Sequence, residues 1–260
     1  MTQQERLDYL IQELIREQPR YQGIEIPETA QEKKRLLRSL MNLRPPVPAG
    51  ERLLRVQDDY LREALSEKKV TSLKELTPVR ERVYLWQGDI TTLEAGAIVN
   101  AANSAMLGCF VPCHRCIDNA IHTYAGIQLR LFCAQLMRNR KNGMPTGQAA
   151  LTPAFNLPCD YVLHTVGPVI SGEPDDGDCR LLASCYRSCL ELAKQNHIKS
   201  VAFCCISTGE FYFPNTLAAE IAVKTVAGYL SRAQAEIEVI FNVFKDEDYA
   251  VYRRLLAPES

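Results

Sequence analysis

A chain of 260 residues, 47% apolar and 23% charged, has the composition of an ordinary folded protein and room for one large domain, or a medium one with an appendage. Its 30 Lys and Arg nearly cancel its 31 Asp and Glu, so charge gives no case for a nucleic-acid or membrane-surface partner. No apolar run has the length of a membrane span, the opening MTQQERLDYL does not read as a signal peptide, and ten cysteines without such a leader point to a reducing cytoplasm instead of a disulfide framework.

In chain order, three amphipathic stretches come first. Leu7, Leu10, Ile11, Leu14 and Ile15 share one helical face. A second helix is predicted after Pro27-Glu28-Thr29, with Leu36, Leu37, Leu40 and Met41 on its stripe and a stop before Pro45-Pro46. A third starts near Pro48 and carries Leu53, Leu54, Tyr60, Leu61 and Leu65. Residues 1–75 therefore read as a helical extension whose apolar stripes need a cover, expected to be the main domain of residues 76–260. Charge runs such as Glu32 to Arg35 are solvated helix faces, and nothing in this region suggests chemistry.

From Arg82 the pattern changes to short apolar runs alternating with helices. Strands are predicted at 83–87, 97–100, 149–154, 161–165, 201–206 and 239–242, and helices near 116–141, 178–196, 215–233 and 246–256. Such alternation implies an α/β domain with a largely parallel sheet buried on both faces. Ligands of such sheets bind beyond the carboxyl ends of the strands, where the unusual residues fall. One strand runs into Gly88-Asp89-Ile90, another into Asn100–Asn103, and a third into Ser207-Thr208-Gly209-Glu210-Phe211 before Pro214 opens a helix. Small residues at Ser207–Gly209 would let backbone N–H groups approach an anion, although a plain strand-to-helix turn uses the same residues. Asp89 reads equally as an acceptor for an exocyclic amine and as a cap for Thr92 and its neighbours. His164 lies within an apolar strand and reads as a satisfied structural histidine. His122 is one turn past Asp118, where it either orients that carboxylate or packs. Glycine-rich dinucleotide and P-loop signatures are absent, as are the usual zinc-protease and serine-hydrolase motifs.

The strongest local signal is Gly108 to Gly126, GCFVPCHRCIDNAIHTYAG, which places Cys109, Cys113, His114 and Cys116 within eight residues just ahead of Asp118. Thiolate and imidazole are the ligands zinc prefers. All four residues could close a structural site. Adjacent Cys113 and His114 would strain the backbone to reach one ion, which favours three ligands and an open, catalytic position. The other cysteines mostly sit on apolar patterns and read as small buried hydrophobes.

Several motifs together carry a family resemblance. Gln87-Gly88-Asp89-Ile90-Thr91, Ala97-Ile98-Val99-Asn100-Ala101-Ala102-Asn103-Ser104, Ile121-His122-Thr123-Tyr124-Ala125-Gly126, His164-Thr165-Val166-Gly167-Pro168 and Ser207-Thr208-Gly209 follow one another as in a macrodomain, the ADP-ribose-binding three-layer α/β/α fold. The match spans about residues 80–258. Where ordinary hydrolytic macrodomains carry a glycine run, this chain has Gly108–Cys116, and with its helical extension it resembles the zinc-dependent macrodomains of bacteria and fungi, which are protein–ADP-ribose hydrolases. The resemblance implies one zinc per chain on Cys109, His114 and Cys116, with Cys113 left out. It also implies adenine contacts from Asp89 and Ile90, the distal ribose on Asn103, the diphosphate within Ser207, Thr208, Gly209, Glu210 and Phe211, and Asp118 as the carboxylate beside the distal ribose. The implied reaction removes mono-ADP-ribose from acidic side chains of a protein, with Asp118 and Asn103 as catalytic residues. The implied partner is a lipoyl-carrier-type protein modified by a sirtuin-like ADP-ribosyltransferase, and a monomer is expected. The competing reading is a module that binds ADP-ribose without cleaving it and uses zinc as a structural staple.

Overall fold

The computed structural model describes residues 1–233 and 236–257, so the final residues of the expected domain, 258–260, lie outside the described part. Three helices that pack together come first: α1 (Gln3–Arg16), α2 (Ala30–Leu43) and α3 (Glu51–Ser66). Thr2 opens α1 with a capping box, accepting from Glu5 N while Glu5 accepts from Thr2 N, and Thr29 caps α2 by accepting from Glu32 N. Their stripes cover one another: Leu7, Leu10, Ile11, Leu37, Leu40 and Leu61 form a core of their own, closed by Ile127 from the main domain. A Leu→Ala truncation in this cluster would cost about 2–5 kcal/mol.

The main domain begins with the short strands β1 (Thr71–Ser72) and β2 (Pro78–Arg80), followed by β3 (Val83–Gln87), β4 (Leu93–Glu94) and β5 (Ala97–Ala101). Helices α4 (Ile117–Ala125) and α5 (Ile127–Met137) come next, then β6 (Ala149–Pro153), β7 (Tyr161–Thr165), α6 (Asp176–Gln195), β8 (Ser200–Phe203), α7 (Asn215–Ala233), β9 (Glu238–Val243) and α8 (Asp246–Leu256). The seven-stranded sheet runs β2-β3-β9-β8-β5-β7-β6, parallel throughout its middle and antiparallel at both edges, while β1 and β4 form a separate parallel pair. Four consecutive buried residues in β5 and in β8 show that helices cover both faces, so the domain is a three-layer α/β/α sandwich. Among the described residues no helix is long and apolar enough to cross a membrane.

Two predicted elements differ from the structure in ways that matter for the site. The helix expected over 116–141 is two helices, broken at Gly126, whose φ of +100° an L-residue rarely adopts. The strand expected over 201–206 leaves the sheet after Phe203. Its ladder with β5 holds only at Ala97–Val201 and Ile98–Ala202, and the two strands then part.

Candidate active site

Because β3, β5, β7, β8 and β9 are mutually parallel, the segments after β3, β5 and β8 all emerge at one edge. On β5, Asn100 is fully buried; its Nδ2 donates to Asp118 Oδ1 at 2.8 Å and lies 3.1 Å from His164 Nδ1. Thr152 Oγ1 is 3.0 Å from the other imidazole nitrogen, so His164 is held on both sides, as expected of a structural histidine. Burial keeps it neutral, lowering its pKa to about 3.

Asp118 sits in the first turn of α4 and is buried. Asn100 holds Oδ1, and Asn103 Nδ2 reaches Oδ2 at 3.3 Å while also donating to Gly108 O at 3.1 Å. Burial pushes the Asp118 carboxyl up to about 6, against the opposing pull of the Asn100 bond, the Arg130 cation and the Asn103 bond. His122, one turn on, places Nε2 3.6 Å from Oδ1, beyond hydrogen-bond range. It packs beside the carboxylate without orienting it. The ring also fixes Gly108: a Cβ there would lie 2.7 Å from His122 Cγ, and the backbone φ is +77°.

The loop after Gly108 brings the donor atoms of Cys109, His114 and Cys116 within 4.8 Å of one another. Cys113 points elsewhere. Its φ of +54° is unusual for a side-chain-bearing residue, and its Sγ lies 3.3 Å from Ser39 Oγ and 3.4 Å from Arg35 O on α2. Cys116 caps α4, accepting from Asn119 N at 3.4 Å, and burial raises its thiol to about 12. His114 Nδ1 is buried with no hydrogen-bond partner among the described residues, and its Nε2 lies 3.7 Å from Glu210 Oε1. Two thiols and an imidazole brought this close suit a thiophilic cation such as zinc, which would stabilise the thiolate that burial alone opposes.

Asp89 ends the segment after β3. Its Oδ1 accepts from Thr91 N at 3.0 Å and Thr91 Oγ1 at 2.7 Å, so the capped residue is Thr91; Thr92 instead donates to the Asp89 carbonyl. Oδ2 faces Lys68 Nζ at 3.7 Å and is half-exposed. Ile90, the next residue, is buried. After β8, Ser207 has φ +66° and a buried hydroxyl without a partner among the described residues, and a Cβ on Gly209 would enter open space. Phe213 N donates to Ser207 O and Tyr212 N to Gly209 O, folding Ser207–Phe211 into a tight loop ahead of α7.

Four residues that join this site were not singled out in the sequence, although Asn119 lies within the Gly108–Gly126 stretch. Arg130 on α5, 4% exposed, donates from Nε to Leu107 O at 2.6 Å and from Nη1 to the carbonyls of Met41, Asn42 and Arg44 at the end of α2. Arg38 and Asn42 on α2, and Asn119 on α4, bond directly to the cysteine loop. A lone polar residue on an amphipathic stripe was the only signal, and Asn42 and Arg130 gave it.

Comparison with known proteins agrees with this geometry. Residues 99–222 match the Macro domain family. The chain is 55% identical over 261 aligned residues to a protein-ADP-ribose hydrolase of Treponema medium, covering 99% of this chain and all of that one. A probable bifunctional ADP-ribose hydrolase/ADP-ribosyltransferase of Fusarium oxysporum f. sp. cubense is 43% identical over 86% of this chain, which spans 41% of that longer protein. A solved macrodomain variant of Oceanobacillus iheyensis with ADPR superposes with a TM-score of 0.62 at 37% identity, over 67% of this chain and 91% of its own. On this fold, these site motifs and this identity to full-length relatives, the chain belongs to the macrodomain family.

Proposed function

We propose that this macrodomain is a zinc-dependent protein-ADP-ribose hydrolase that frees mono-ADP-ribose from acidic side chains. The observation that carries the reading is the meeting of a buried, pKa-raised carboxylate, Asp118, with three convergent metal donors at the open edge of the sheet. Names borne by the Treponema medium and Fusarium oxysporum relatives support the activity. Bound by Cys109, His114 and Cys116, zinc would act as a Lewis acid towards the ribose or ester oxygens.

The chain's own residues divide the remaining work. Asp89, through its half-exposed Oδ2, takes the exocyclic amine of adenine, and Ile90 backs the ring. The diphosphate lies in the Ser207–Phe211 loop, where the orphaned Ser207 hydroxyl gains a partner and the N-terminus of α7 favours negative charge. Asn103 holds the distal ribose, which lowers the entropic barrier to attack. Asp118, with its carboxyl at about 6, is mostly ionised at neutral pH yet basic enough to take a proton from the attacking water. Water adds across the ester: the products are free ADP-ribose and the restored side-chain carboxylic acid.

The Fusarium protein's joint hydrolase and transferase name fits a pairing with an ADP-ribosyltransferase; in this reading that transferase is sirtuin-like, the substrate is a lipoyl-carrier-type protein and the compartment is a reducing cytoplasm. The protein acts as a monomer in this reading. Incubation with a carrier protein mono-ADP-ribosylated on Asp or Glu tests it: intact-mass spectrometry should show loss of the modification and release of ADP-ribose. A stable complex with no release would make the protein a binding module.

A further inference from the structure

The cysteine loop is bonded to the N-terminal helices. Arg38 Nη2 donates to His114 O at 3.0 Å and to Asn119 Oδ1 at 2.8 Å, with Nε on the same Oδ1 at 3.2 Å. Asn119 Nδ2 in turn donates to Val111 O at 3.0 Å and lies 3.5 Å from Cys109 O. Asn42 Oδ1 accepts from Cys113 N at 2.9 Å and its Nδ2 donates to Thr123 Oγ1 at 2.9 Å, tying the left-handed Cys113 to α2 and α4 together. Arg130 fastens the end of α2 to Leu107, at the entrance of the loop. A macrodomain need not be this long: the Oceanobacillus macrodomain is matched over 91% of its length by only 67% of this chain.

We propose that the N-terminal helices are a clamp for the metal loop, with Arg38 and Asn42 as positioning residues that set how tightly Cys109, His114 and Cys116 hold zinc. This rests on the zinc reading of the loop. A half-buried arginine that fixes the carbonyl of one ligand and the amide holding the carbonyl of another restricts the loop to the conformation in which its donors converge. The arrangement reduces the ordering that zinc must impose on binding, and affinity follows preorganisation. The left-handed Cys113, turned away towards Ser39, is the point where the clamp bends the chain so that His114 faces the other donors.

The test uses the full chain and zinc alone, with affinity read by competition against a chromophoric chelator. Arg38→Ala and Asn42→Ala should each weaken zinc binding by about tenfold or more, the usual effect of removing a partner that orients metal ligands. Arg38→Gln, which keeps a neutral donor, should fall between, and it supplies the reading if Arg38→Ala does not fold. Lys33→Ala breaks the 2.7 Å ion pair to Asp8 in the same helices without touching the loop, and should bind zinc as the wild type does. In metal-free protein, hydrogen exchange over residues 109–116 should quicken in the Arg38 variants while ADP-ribose affinity stays unchanged. Wild-type zinc affinity in Arg38→Ala, or an equal loss in Lys33→Ala, would overturn the clamp alone. A wild-type protein that binds no zinc would overturn it together with the metal reading of the site.

Discussion

Asp118 carries two opposed demands: the interior disfavours its charge, while two carboxamides and a buried arginine favour it, and the result is a carboxyl held near 6. Such a group has little structural use. Asp118→Ala should lower kcat by about a hundredfold or more while ADP-ribose still binds, the signature of a lost acid–base group. Calorimetry and a turnover assay on one preparation check both halves, and wild-type turnover would reduce Asp118 to a helix N-terminal charge. Asp89 sits at the other end of the proposed ligand, where ground state and transition state are held alike. Asp89→Ala should therefore raise KM and spare kcat. It should also cost about 1 kcal/mol of stability, because the same side chain caps Thr91. Cys109→Ala, His114→Ala and Cys116→Ala should each deplete zinc and abolish hydrolysis, and Cys113→Ala should retain the metal; equal loss in all four would favour a closed four-ligand site.

At the scale of elements, periodicity and capping residues made the three N-terminal helices and the central strands readable, because a repeat of apolar positions is a local property. Breaks set by single backbone torsions were not readable in that way. The Gly126 interruption looks like continuous helix in composition, and the two-residue strands β1 and β4 are too short to show alternation. The donors of the cysteine loop were legible as chemistry, since few other reasons place three thiols and an imidazole in eight residues. Its support was not: Arg38 and Asn42 act across more than 70 residues of chain, and the packing of α2 against α4 brings them to the loop, while Arg130 on α5 joins the end of α2 to Leu107. Arg130 is the joint between elements. Arg130→Met keeps the length of the side chain but strands three carbonyls of α2 and leaves Asp118 without its cationic neighbour. Thermal or urea unfolding should show a loss of about 3 kcal/mol, comparable with removal of one member of a buried charged network. A loss within experimental scatter of zero would mean that water takes over those carbonyls.

For the whole molecule, pH acts on stability through buried groups of opposite sign. His164 and His122 are both held neutral by burial, so an unfolded chain binds their protons more readily. Their contribution is fully present above pH 6.5 and is lost as pH falls below it, for His164 down to about 3. By pH 5 about 2 kcal/mol of the His164 part is lost. The raised Asp118 carboxyl works the other way, returning about 1 kcal/mol between pH 7 and 5 as it protonates in the folded state. Urea midpoints should thus be lower at pH 5 than at pH 7, and a flat or rising profile would contradict the neutral assignment of the two imidazoles. Metal adds a separate dependence, because protons compete with zinc for thiolate and imidazole. The central claim, that this macrodomain hydrolyses its substrate with zinc on Cys109, His114 and Cys116, is tested most directly by one paired measurement: zinc content and ADP-ribose release on the same protein before chelation, after it, and after zinc is restored. The account predicts one zinc per chain, loss of turnover with the metal while the protein stays folded, and recovery on re-addition. Full turnover by folded, metal-free protein would contradict it.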